Sequence, residues 1–140
     1  MKAITLYRIA SVLFVLFAAG HTFGFLKFKP PTAEGLAVRD AMNSVHFQVK
    51  GSTFSYGEFY TGFGLIITAY VLFFAFLAWH LGTVAESNPH AVGLLGWMLC
   101  LVQAVTLVLS WKYFSAAPAM LSAVLAVCLG WAAWLAAARG

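Results

Sequence analysis

Residues 55–81 read SYGEFYTGFGLIITAYVLFFAFLAWHL, and this stretch decides the fold class. After Glu58 no Asp, Glu, Lys or Arg occurs as far as Leu81. About 20 predominantly apolar residues in a helix cross the hydrocarbon core of a bilayer. The start of the run is marked as clearly as its interior. Ser55 and Glu58 have the S-x-x-E spacing of a capping box, in which each side chain satisfies an orphan backbone N–H of the first helical turn. These residues predict a transmembrane helix over 56–81.

Three more apolar runs flank it. The first covers 4–28 and stops before Pro30-Pro31. Its opening has the layout of a signal peptide, with Lys2, an apolar stretch and then Ala18-Ala19-Gly20. We read it as the first transmembrane helix. The third run covers 89–110, where Asn88 suits the N-cap and Pro89 the first helical position. The fourth covers 118–138 and opens at Pro118. The expected fold is all-α: a polytopic, up-down four-helix transmembrane bundle forming one domain over 1–140. Residues 29–55 form its single long connection, folded over one end. Within it, residues 32–44 have helical character, with Leu36, Arg39 and Asn43 close to one face. Residues 45–50 alternate apolar with polar, which predicts an extended segment closed by Gly51. A loop this long in a small bundle is usually functional or a cap.

Composition agrees with this layout. Of 140 residues, 63% are hydrophobic and 9% charged, whereas a soluble domain carries roughly a quarter charged residues. The net charge of +4 is the excess over four acidic residues of Lys2, Arg8, Lys27, Lys29, Arg39, Lys50, Lys112 and Arg139. They are scattered near predicted helix ends, where such side chains snorkel to lipid phosphates. No basic stripe alternates with stacking aromatics, so nucleic acid is not an expected partner. Cys100 and Cys128 sit in apolar runs without a CxxC pair and read as small buried hydrophobes. This argues against thiol redox chemistry. There is no H-E-x-x-H, phosphate-cradling glycine loop or nucleophile elbow. No catalytic residue is assigned, and neither a metal site nor a cofactor is expected. His80, Glu86 and His90 flank a short turn and read as solvated.

Aromatic residues mark the two interfaces: Trp79, Trp131 and Trp134 at one, Tyr56, Tyr60, Trp111 and Tyr113 at the other. Orientation cues conflict. The count of basic residues favours a cytoplasmic long loop, whereas the charged start of the chain favours cytoplasmic termini, the orientation we adopt. Gln103 lies mid-span and is expected to face the bundle interior, bonded to another helix. Two rows of small residues, Gly96/Cys100/Ala104 and Ser122/Ala126/Gly130, allow close helix approach. Packing within the bundle is their first reading, and a homo-oligomer or partner membrane protein their second.

Polar side chains collect at one end. An up-down topology brings His21, late in the first helix, to the side where Asn43, His46, Glu58 and Tyr60 lie. An ionisable group inside a membrane is a functional candidate by default. We therefore expect His21, Asn43, His46, Glu58 and Tyr60 to line a ligand-binding pocket under the 29–55 connection. A structural duty explains several of them as well: capping for Glu58, and a backbone carbonyl partner for His21.

The motif Ser55–Leu65, with Gly20-His21-Thr22-Phe23-Gly24 and Val45-His46-Phe47, resembles a group of small bacterial four-helix membrane proteins. The shared pattern is aromatic-x-acid-Phe-Tyr-x-Gly-Phe-Gly-Leu at the start of the second transmembrane helix. The likeness covers mainly residues 18–80 and implies this topology and a bacterial inner membrane, but no reaction. The expected function is binding of a lipid or small lipophilic molecule. The alternatives are an accessory subunit acting through helix packing, and an acid–base enzyme on a lipophilic substrate with Glu58 or His21 moving the proton and Tyr60 orienting the substrate.

Overall fold

The structure, a computed structural model, describes residues 2–138; Arg139, counted above among the basic residues, lies outside them. Helix α1 spans Ala3–Lys27, α2 Ala33–Ser44, α3 Tyr56–Ser87, α4 Gly93–Tyr113 and α5 Ala116–Ala137. Strands β1 (His46–Val49) and β2 (Ser52–Ser55) form an antiparallel hairpin between α2 and α3. Four helical segments, Ala3–Lys27, Tyr56–Ser87, Pro89–Tyr113 and Ala116–Ala137, are long and apolar enough to cross a membrane. The chain is thus an all-α polytopic bundle with a small hairpin.

The chain divides into two compact units, Met1–Ala18 with Val71–Gly140, and Ala19–Tyr70. In the first, parts of α1 and α3 join α4 and α5 around one core. Its fully buried side chains include Leu6, Tyr7, Phe14, Leu81, Leu125 and Leu129. Cross-helix contacts give the directions. On α1 and α3, Tyr7 approaches Gly82, Arg8 approaches Trp79, and the Ser11 hydroxyl donates to the Ala75 carbonyl at 2.7 Å. Rising numbers on one helix meet falling numbers on the other, so the two run antiparallel. Helices α4 and α5 pair in the same sense: Gly96 faces Ala133, and Cys100 lies against Gly130 and bonds to the Ala126 carbonyl.

The small-residue rows do their packing inside this unit. A Cβ at Gly96 would stand 2.5 Å from the Tyr7 hydroxyl and 2.9 Å from Val92. One at Gly130 would stand 3.1 Å from Cys100 Sγ. Ser122 is fully buried. In lipid, water cannot drive helices together, and close backbone approach supplies the dispersion that does. Gln103 faces inward as expected and is 2% exposed. The expected interhelical bond through its oxygen is absent: Oε1 has no hydrogen-bond partner among the described residues, like the hydroxyls of Tyr7 and Ser122.

Two helix ends differ from expectation. Helix α3 continues to Ser87 instead of stopping near Leu81, because residues 82–85 are still small or apolar and the first strong stop is Asn88-Pro89. Asn88 precedes a short 3₁₀ turn, Pro89–Val92, and its side chain makes no capping bond. Gly93, with φ +41°, joins this turn to α4.

Candidate functional site

All five candidate residues belong to the second unit, and local chemistry explains where each one stands. Thr32 caps α2, its hydroxyl accepting from the Gly35 N–H at 3.1 Å. Helix α2 ends at Ser44, and the chain turns into β1 at His46. Lys50 (φ +47°) and Gly51 (φ +86°) form the two-residue turn to β2. Positive φ at both central positions gives the turn a twist that matches the flanking strands. Cross-strand pairs are His46 with Ser55, Phe47 with Phe54, Gln48 with Thr53 and Val49 with Ser52. The expected extended segment is therefore half of a hairpin whose second strand, Ser52–Ser55, carries no apolar alternation of its own.

The capping box forms as its spacing predicts. The Ser55 N–H donates to Glu58 Oε2 at 2.7 Å, and the Glu58 N–H donates to Ser55 Oγ at 3.1 Å. Ser55 thus ends β2 and starts α3 with no residue between. Asn43 reaches the same helix end. A Cβ at Gly57 would collide with its Oδ1, so glycine there is what admits the Asn43 side chain. His46 lies across the hairpin from Ser55, with its Nδ1 2.8 Å from the Ser44 carbonyl. It is also within electrostatic reach of the Glu58 carboxylate. Asn43, His46 and Glu58 therefore gather around the Ser55–Gly57 corner.

His21 occupies a separate place, where α1 meets α3. Its Nε2 is 3.2 Å from the Gly64 carbonyl oxygen. A carbonyl can only accept, so the contact requires a proton on Nε2. The Thr68 hydroxyl donates to the same carbonyl at 3.1 Å and lies 2.8 Å from the Thr22 hydroxyl. The Phe25 ring, 5.1 Å from the imidazole, fills the space that a side chain at Gly64 would need. Tyr60 stands apart from both groups: it is 58% exposed and has no hydrogen bond or ring contact among the described residues.

Two sets of residues extend the candidate list, which anticipated aromatics near the pocket without naming them. Gly57, Thr61, Gly64 and Thr68 recur at spacings of four, three and four, which puts them on one face of α3. That face receives Asn43 at one end and His21, Phe25 and Thr22 further along. The signal was the same small-residue spacing that the later helices display. The second set is aromatic. Phe47 contacts Phe54, Tyr56 and Phe59 at ring separations of 6.3, 4.8 and 5.6 Å, and Phe59 contacts Phe63 edge-on at 4.8 Å. Phe54, Tyr56, Phe59 and Phe63 are 39–54% exposed, so the series is an open apolar surface beside the Ser55–Gly57 corner.

No three His, Cys, Asp or Glu side chains among the described residues come together in a way that could hold a metal ion. Open surface grooves lie in the first unit, along α1 and near the end of α4. Comparison with protein-family models, curated proteins and solved structures found no match to this chain.

Proposed function

We propose that the protein binds a lipid or other small lipophilic molecule where the 29–55 connection meets the start of α3. One observation carries this reading: an open aromatic series adjoins a compact polar group. Phe47, Phe54, Tyr56, Phe59 and Phe63 offer apolar contact, while Asn43, His46 and Glu58 sit at the neighbouring corner. Apolar walls with a few convergent polar groups are what sites for amphiphilic ligands need. His21 contributes by fixing α1 against α3, whereas Tyr60, although exposed, stands apart from the corner.

The acid–base reading draws less support. Glu58 Oε2 and His21 Nε2 are both engaged in local structural bonds. For the accessory-subunit reading, Ala126 and Gly130 lie against Cys100 of α4 in the same chain, which favours packing within the chain as the use of that row. The setting we propose is a bacterial inner membrane, on the motif's resemblance, with cytoplasmic termini, on the charged start of the chain.

Native mass spectrometry of the full chain after mild detergent extraction tests the reading. A lipophilic adduct should co-purify. Phe59→Ala and His46→Ala should each weaken its retention, Phe59→Ala by about threefold to tenfold, the worth of a well-placed aromatic contact. No adduct, or an adduct indifferent to both substitutions, would overturn the proposal.

A further inference from the structure

The first unit holds a cationic group whose surroundings suit one particular kind of lipid. Arg8 lies five residues into α1 from Ala3, about 8 Å along the axis. Its guanidinium stands over the Trp79 indole at 4.9 Å from the ring centre. Tryptophan concentrates at the headgroup level of bilayers, and arginine this close to a helix end reaches that level by snorkelling. Arg8 forms no ion pair among the described residues. Of the four acidic side chains in the sequence, Glu34, Asp40 and Glu58 belong to the other unit. Glu86 is the remaining one, two helical turns beyond Trp79, or about 10 Å along α3. Glu86 is thus the one side-chain carboxylate of this unit, and among the described residues it makes no ion pair with Arg8.

Beside Arg8 a groove follows α1, lined by Ile4, Thr5, Arg8, Ile9, Val12 and Leu13. Ile9 and Val12 are 41% and 54% exposed and succeed Arg8 in the direction of the helix interior. A cation at one end of a shallow apolar strip along α1 matches the two parts of a phospholipid. The guanidinium fork fits phosphate oxygens in paired hydrogen bonds, and the contact with the Trp79 ring face holds it in place by cation–π attraction. We propose that Arg8, braced on Trp79, binds the phosphate of an anionic phospholipid whose acyl chain lies along Ile9, Val12 and Leu13. This site is independent of the one at the 29–55 connection.

The test uses the purified full chain in detergent, offered equal amounts of phosphatidylglycerol and phosphatidylcholine, with bound lipid counted by native mass spectrometry. Phosphatidylglycerol should be retained about fivefold over phosphatidylcholine, as one well-placed cation near a membrane surface provides. Arg8→Gln should bring the ratio close to one. Val12→Trp fills the groove, keeps the charge and alters an exposed position, and should lower retention of both lipids. Lys112→Gln removes the other cation–aromatic pair, Lys112 with Tyr113, and should leave the ratio intact. A ratio near one in the unaltered protein would overturn the proposal. So would an unchanged ratio in Arg8→Gln, an equal fall in Lys112→Gln, or full retention in Val12→Trp, the last being decisive even if Arg8→Gln failed to fold.

Discussion

The two units of this chain are held together by different physics. In the first, eighteen hydrophobic residues from Ala3 to Ala136 are buried, ten of them alanines, and two glycines bring α4 and α5 close. In the second, Ser55 and Gly64 alone among the described residues are buried. Its order comes from directional contacts: a capping box, a pair of threonine hydroxyls, a carbonyl shared by His21 and Thr68, and a chain of ring contacts. Dispersion summed over many contacts resists any single loss poorly when a large side chain is removed. Directional contacts are worth less one by one, and they specify geometry rather than bulk stability.

That contrast can be broken by three substitutions. Leu125→Ala carries the largest expected effect. Leu125 is 0% exposed in the first unit, so the change should cost about 2–5 kcal/mol through a cavity, read as a lowered midpoint of unfolding in mixed micelles. Ser55→Ala comes next. It removes the side-chain half of the capping box, and should cost about 1 kcal/mol while raising amide hydrogen exchange chiefly at residues 56–58. An unfolding shift as large as that of Leu125→Ala would erase the distinction between the units. Thr68→Val carries the smallest effect. It removes the Thr22 and Gly64 contacts at about 0.6 kcal/mol, the average for hydrogen bonds between membrane helices. The His21 ring should then show altered nitrogen chemical shifts by NMR, because Gly64 loses its second donor; unaltered shifts would mean that the two contacts are not coupled.

Much of the fold is legible in sequence because lipid enforces it. Bare backbone is so costly in hydrocarbon that every apolar run of sufficient length must be helix. The runs at 4–28, 56–81, 89–110 and 118–138 anticipate α1, α3, α4 and α5 for that reason. The capping box is legible because its two members sit three residues apart. Strand β2 is not, since Ser52-Thr53-Phe54-Ser55 becomes a strand only by pairing with β1. At the site, Asn43 and His46 come to Glu58 through the hairpin register and the gap at Gly57. Tyr60 is sequentially nearest of all to Glu58 on the far side of Phe59, yet helical rotation turns it away. Proximity along the chain was a poorer guide than helical phase.

The absence of any residue between β2 and α3 has a mechanical consequence. Ser55 is at once the partner of His46 and the cap of the helix, so the pleat of the hairpin and the rotational phase of α3 are geared together at one Cα. A register slip of one position in the hairpin would turn His46 to the opposite face of the ribbon. It would also present a different side chain to the first turn, a rotation of 100° for each residue transferred. The hairpin therefore works as the index pin of the first turns of α3, setting which way Glu58 and Phe59 point.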